Sequence, residues 1–152
     1  MSDVENLREQ IKRKLHSYID LKYERQQLEH QLNQLRATAE APRSQAMDGM
    51  PHGSGGGDAM ASIVAELVEL QKKYEIKLLK LIEMQATIEV MIEKLESTER
   101  QLMRFRYIEG LPWETVCVAM NYSWRQTHRI HGQALDKLVA AEIEKQEVSE
   151  IV

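Results

Sequence analysis

Residues 106–135 read RYIEGLPWETVCVAMNYSWRQTHRIHGQAL, and this stretch decides the fold of the C-terminal part of the chain. It contains both tryptophans of a chain otherwise rich in Leu, Glu, Lys and Gln. Gly110 predicts the end of one helix, and Pro112 suits the first turn of the next. Asn121 tolerates the left-handed backbone of a tight turn, and Ser123 is a natural N-cap for a last helix. A helix, a short turn and a capped helix in this order are typical of a helix-turn-helix.

The spacing of apolar residues divides the last helix into a buried face and an exposed face. The residues predicted to face inward are Thr127, Ile130, Ala134, Leu135 and Leu138. The residues predicted to lie on or near the exposed side are Trp124, Arg125, Gln126, His128, Arg129 and Gly132. Arg125 and Arg129 lie one turn apart, and arginine can bond guanine through two hydrogen bonds, as glutamine can bond adenine. We therefore predict that this helix reads bases in the major groove of DNA. Phosphate contacts are expected from Arg104, Arg106 and Lys137.

Two heptad segments precede this stretch. Residues 1–37 keep an apolar seam that only Lys14 and Arg25 interrupt, and residues 62–97 keep nine of ten seam positions apolar. Residues 38–61 between them are rich in Gly and Pro, which predicts a flexible linker that lets the chain reverse.

The expected fold is therefore all-α: a long two-helix coiled-coil hairpin followed by a helix-turn-helix domain. We place that domain at residues 98–141 and an acidic tail at residues 142–152. Intermolecular pairing fits the seams equally well. Extra apolar residues on the second helix favour further assembly, so a homo-oligomer is expected.

Composition limits the classes of function. The chain has 152 residues, a net charge of −4 and one cysteine, so it cannot form an intramolecular disulfide. The acidic total argues against non-specific coating of nucleic acid but allows a local basic face. No secretory signal or membrane-spanning stretch is evident, so we expect a protein of the bacterial host cytoplasm with no membrane partner. No catalytic grouping, nucleotide loop or metal-ligand set is evident, so we expect no enzyme activity, metal or cofactor.

The segment RYIEGLPWETVCVAMNYSWRQTHRIHGQALDKL, residues 106–138, resembles the region-4 helix-turn-helix of bacterial sigma factors, which reads the promoter −35 element. With its coiled-coil start, its GSGGGD segment and its second long helix, the chain is similar to small phage and prophage proteins that carry a sigma-region-4-like C-terminal domain. Autolysin-regulatory and late-gene-activator-like proteins are neighbours of that family.

The resemblance places Ser123 at the cap of the recognition helix. The positions that match its DNA-facing residues are Trp124, Arg125, Gln126, His128 and Arg129. Three positions depart from the pattern. Pro112 replaces the usual Ser or Thr cap, Asn121 replaces the usual Gly of the turn, and Trp124 stands where a small polar or charged residue is usual. Trp124 could stack, wedge between bases or bind a protein.

The resemblance implies a sequence-specific DNA-binding transcriptional regulator of phage or prophage origin. Its partners would be double-stranded DNA and, because region-4 modules also bind it, host RNA polymerase. A dimer is the favoured oligomer, since one recognition helix reads only a few base pairs. Two alternatives stay open: a DNA-packaging protein similar to small terminase subunits, and an adaptor that docks on RNA polymerase without reading bases.

Overall fold

The structure of the chain, a computed structural model, describes residues 2–41 and 55–151, with the side chains of residues 55 and 56 left out. Its helices are α1 (Asp3–Glu40), α2 (Gly55–Glu93), α3 (Ser97–Met103), a π-helical turn (Arg104–Ile108), α4 (Trp113–Met120) and α5 (Trp124–Ile151). These ranges contain no strand, so the predicted all-α class is confirmed. Within them, no helix is both long enough and apolar enough to cross a bilayer.

Both long helices extend into the segment expected to be a linker. α1 continues to Glu40, because Ala37, Ala39 and Glu40 are good helix formers. It stops just before Ala41, whose position ahead of a proline disfavours the helical conformation. α2 already begins at Gly55. Residues 42–54 of the expected linker lie outside the described residues.

The contacts divide the chain into two units. The first unit comprises residues 1–21 and 81–152, and the second comprises residues 22–80. Within the first unit, the Tyr18 hydroxyl donates to Gln85 Oε1 at 3.2 Å, and Arg8 forms an ion pair with Asp136 of α5. Within the second unit, Lys77 Nζ lies 2.6 Å from Glu24 Oε2.

Burial along the long helices follows the predicted seams. All ten seam positions predicted for the second heptad segment are buried or half-buried, and Leu95 is the one that lies beyond the end of α2: Ile63, Leu67, Leu70, Tyr74, Lys77, Leu81, Met84, Ile88, Met91 and Leu95. On α1, Ile11, Tyr18 and Leu32 are buried as the heptad predicts. Val4, also a predicted seam position, is 53% exposed. Leu15 lies off the seam but is fully buried, while its seam neighbour Lys14 is exposed. The reason is that this part of α1 belongs to the same core as α3 and α5.

The core of the first unit holds the short helices in place. Its fully buried side chains include Leu15, Ile88, Ile92, Leu102, Met103, Tyr107, Val116 and Leu135. Burying one large aliphatic side chain contributes about 1.5–3 kcal/mol, so residues drawn from α1 to α5 together give a strong common core. The geometry from α3 to α5 is therefore fixed by packing against both long helices.

Candidate nucleic-acid interface

The turn between α4 and α5 depends on one left-handed residue. Asn121 has φ 58° and ψ 42°, as predicted, and it ends α4 after Met120. The backbone N–H groups of Asn121 and Tyr122 donate to the carbonyl oxygens of Val118 and Cys117 at 3.2 and 3.1 Å. These bonds satisfy the last carbonyls of α4 and let the chain reverse within a few residues.

Ser123 caps α5 with its side chain and its backbone. The N–H of Gln126 donates to Ser123 Oγ at 3.1 Å. The N–H and the hydroxyl of Thr127 donate to the Ser123 carbonyl oxygen at 2.9 and 2.8 Å. The predicted N-cap is therefore confirmed, and the first turn of α5 is rigidly attached to the turn that precedes it.

The two predicted faces of α5 are present. The five residues expected to face inward are all buried: Thr127, Ile130, Ala134, Leu135 and Leu138. Trp124, Arg125 and Arg129 are exposed, and Gln126 and His128 are half-buried. The capped end of α5 therefore presents Arg125 and Arg129 to solvent while the opposite face fixes the helix to the core. His128, which was expected to face outward, is instead half-buried, and its Nε2 is buried without a hydrogen-bond partner among the described residues.

Four of the predicted site residues meet at one place. Ser123, Arg125, Gln126 and Arg129 line a single surface pocket at the start of α5. Within residues 2–41 and 55–151, neither Arg125 nor Arg129 takes part in an ion pair. Two adjacent guanidinium groups without a carboxylate partner can accept an anion, or the paired acceptors of a guanine edge.

An aromatic column supports the exposed Trp124. Its ring centroid lies 4.4 Å from that of His128, which in turn lies 4.4 Å from that of Trp113. The guanidinium carbon of Arg106 lies 4.7 Å from the Trp113 ring centroid, within cation–π range. Trp124 remains 54% exposed at the outer end of this column. In the sequence, only the i,i+4 spacing of Trp124 and His128 indicated this aromatic column.

Arg106 supports this column rather than lining the pocket with Arg125. It is half-buried, and its Nη1–H donates to the carbonyl oxygen of Leu111 at 2.9 Å. Together with its contact to Trp113, this bond ties the π-helical turn to the start of α4. Arg106 is therefore a positioning residue in the structure.

Arg104 and Lys137, the other two expected phosphate contacts, also have internal partners. Arg104 pairs with Glu89 at 2.6 Å. Lys137 pairs with Glu99 at 2.6 Å and with Glu96 at 3.7 Å, and its hydrogen bond to Glu99 raises the pKa of the Lys137 amine. Neither residue lines the pocket of Arg125 and Arg129.

His131 lies behind the column as a buried neutral group. The pKa of His131 is lowered to about 4, chiefly by burial and also by electrostatic repulsion from nearby groups, including His128 and Lys12. Burial also raises the pKa of Tyr107 to about 12. The Tyr107 hydroxyl therefore keeps its proton, and its oxygen lies 2.7 Å from His131 Nε2 in a hydrogen bond whose direction depends on the imidazole tautomer. This pair packs α3 and the π-helical turn against α5.

Among the described side chains, no group of three or more His, Cys, Asp or Glu is placed to hold a metal ion. Comparison of the chain with protein families, with characterised proteins and with solved structures found no match. The function of this chain is therefore inferred from the geometry of the α4–α5 region.

Proposed function

We propose that this chain is a sequence-specific DNA-binding transcriptional regulator of the phage or prophage type. In this proposal residues 98–141 form a sigma-region-4-like helix-turn-helix, and α1 and α2 pair as a coiled-coil hairpin. The observation that carries the proposal is the position of Arg125 and Arg129. Both lie on the exposed, capped end of α5, beside Gln126 and free of acidic partners among the described residues.

The placement matches how a recognition helix enters the major groove. The N-terminal residues of such a helix contact base edges while its opposite face is packed against the preceding helix. Here Thr127 and Ile130 are buried on the inner face. Arg125 and Arg129 can then each meet one guanine, and each good bidentate pair discriminates by about 1–3 kcal/mol.

The expected phosphate contacts need revision in the light of their internal partners. The Arg104 side chain is 45% exposed in its ion pair with Glu89. Ion pairs at the surface contribute only about 0–1 kcal/mol to stability, so Arg104 can exchange Glu89 for a phosphate. Lys137 differs because its partner Glu99 is almost fully buried, and moving the amine would leave that carboxylate unpaired. We therefore retain Arg104 as a phosphate contact and assign Lys137 and Arg106 to holding the fold.

Selection from random duplexes at near-physiological salt tests the proposal. We expect one preferred site, and Arg125→Ala or Arg129→Ala should each relax discrimination at a different base by about 5- to 150-fold. Arg36→Ala is the matched control, because Arg36 is an exposed arginine in the second unit. Unchanged discrimination at every base in the double variant would contradict the proposal.

A polymerase-docking adaptor is the second candidate function, and the exposed indole of Trp124 favours it. Tryptophan is enriched among residues that dominate protein interfaces, and this ring is already held in place by His128 and Trp113. This candidate predicts that selection recovers no preferred duplex. It also predicts that Trp124→Ala abolishes binding to purified bacterial RNA polymerase.

A further inference from the structure

The first unit contains a groove that the proposed function does not use. It has a volume of about 370 Å³ and lies between α1, the last turns of α2 and the second half of α5. Its apolar lining consists of Leu7, Ile11, Val90, Met91, Leu138 and Ala141. Val90 is 59% exposed there, so this lining is open to a partner.

The rim of this groove is cationic. Lys14, Lys94 and Lys145 line it, and Glu142 is its single acidic residue. The first unit has two other lysines, Lys12 and Lys137, and each forms an ion pair. In the described part of the chain, none of the three groove lysines is in an ion pair. The groove therefore fits a segment that carries both acidic and aliphatic side chains on one face.

The end of α5 supplies such a segment. Glu144, Glu147, Val148 and Ile151 follow i, i+3, i+4, i+7 spacing and so share one face of the helix. All four are exposed, with Val148 at 58% and Ile151 at 85%. Two carboxylates followed by two exposed aliphatic residues complement the cationic and apolar parts of the groove.

We propose that a second copy of this chain covers the groove and inserts the tail face of its α5, which consists of Glu144, Glu147, Val148 and Ile151. The aliphatic pair would cover the apolar lining, and the two carboxylates would meet the rim lysines. Because the groove and the tail belong to the same chain, a two-fold axis can place each tail on the other chain's groove, as an isologous dimer requires.

The dimensions agree with this pairing. The groove-lining residues of α5 run from 138 to 146, a distance of about 12 Å at 1.5 Å per residue. The tail face runs from 144 to 151, a distance of about 10 Å. Two helical turns of the tail therefore match the length of the groove.

This inference does not depend on DNA binding. If both hold, the dimer supplies two recognition helices, and a dimer reads two half-sites whose separation its two-fold symmetry fixes. If the chain binds no DNA, the groove and the tail still predict the same dimer. The two proposals can therefore fail separately.

A charge-swap experiment on the full chain tests the dimer by light scattering at micromolar concentrations. The groove variant carries Lys14→Glu and Lys94→Glu, and the tail variant carries Glu144→Lys and Glu147→Lys. Each variant alone should be monomeric, because both of its interfaces oppose like charges. An equimolar mixture should recover the dimer, because one of its two interfaces keeps the native charges and the other has them exchanged.

The matched control is the double substitution Lys72→Glu and Lys80→Glu. These exposed lysines lie on α2 in the second unit, so the control should remain dimeric. Circular dichroism checks that every variant remains helical. A chain that ends at Gln146 provides a second variant, expected to be monomeric while keeping its helical signal.

Three outcomes would overturn the inference. The native chain could be monomeric throughout the concentration range. The groove and tail variants could both stay dimeric, which would place self-association elsewhere on the chain. Finally, two folded monomeric variants could fail to associate on mixing, which would show that the groove and the tail do not contact each other.

Discussion

At the scale of single residues, Trp124 is the exposed side chain whose position is most tightly fixed at the proposed interface. Its ring makes a tilted contact with His128, which makes a similar contact with Trp113, and the Arg106 guanidinium lies over the Trp113 ring. A rigid indole loses little conformational entropy when a partner covers it. On an intact duplex, the apolar group that the major-groove edge offers is the thymine methyl. In the proposed complex, Trp124 would therefore be suited to contact a thymine beside the bases assigned to Arg125 and Arg129.

Replacing single thymines by uracil in the selected duplex tests this role of Trp124, because it removes only the methyl group. We expect one such replacement to weaken binding of the native protein by several-fold, on the order of 1 kcal/mol. Trp124→Ala should bind both duplexes equally, whereas Arg36→Ala should behave like the native protein. Native binding that ignores every thymine-to-uracil replacement would exclude a methyl contact by Trp124.

His131 should make stability depend on pH. The pKa of His131 is about 4 in the folded chain, against 6.5 for an unperturbed histidine. Between these pH values the unfolded chain is protonated at His131, whereas the folded chain is not. His131 should therefore not reduce the free energy of unfolding above pH 6.5, and it should reduce that free energy progressively as the pH falls towards 4. The expected loss is about 2 kcal/mol by pH 5.

Urea unfolding at pH 7 and pH 5 measures this effect. His131→Gln keeps a hydrogen-bond acceptor for Tyr107 but cannot titrate, so its stability should fall less between the two pH values. His30→Gln is the control, because His30 is exposed on α1 in the second unit. Equal pH dependence in native protein and His131→Gln would show that another group governs the acid sensitivity.

At the scale of elements, the sequence predicted those features that depend on residues close together along the chain. The left-handed Asn121, the cap at Ser123 and the buried face of α5 all follow from local backbone chemistry or helical spacing. The partners of Arg104 and Lys137 could not be predicted in this way. Glu89 is 15 residues from Arg104, and Glu99 is 38 residues from Lys137, so only the packing of separate helices brings these pairs together.

The turn between α4 and α5 gives a test at the element scale. Asn121→Ala should lower the free energy of unfolding by about 1 kcal/mol, because a left-handed backbone is unfavourable for a residue with a Cβ atom and no local hydrogen-bonding side chain. Asn121→Gly should leave stability unchanged or raise it slightly. Ala119→Gly, within α4, should be destabilising instead. Equal stability of Asn121→Ala and Asn121→Gly in urea would show that the turn relaxes without cost.

At the scale of the whole molecule, the sequence predicted the all-α class and the inward sides of the long helices. It did not predict the division into two units, because α1 and α2 each run through the boundary without a break in helix propensity. It also placed the start of α2 too late, because a run of glycines at the beginning of a helix was taken as linker. Leu15 was missed because the heptad describes one helix pair, whereas the first unit packs α1 against further helices.

The net charge of the whole chain and the local charge at the start of α5 have opposite signs. The chain carries a net charge of −4, yet the exposed end of α5 presents two arginines without ion-pair partners in the described residues. An acidic total limits non-specific binding, while the local pair supplies attraction at the reading surface. If the chain binds DNA as proposed, this combination should favour selective recognition of a few sites over general coating.

The most direct measurement of the central claim is pull-down sequencing of the source genome with the purified native protein and the Arg125→Ala, Arg129→Ala double variant. At near-physiological salt, the account predicts that the native protein recovers one motif upstream of a gene cluster and that the double variant recovers none. Recovery without any motif, or recovery of the same motif by the double variant, would contradict the claim that α5 reads DNA sequence through these two arginines.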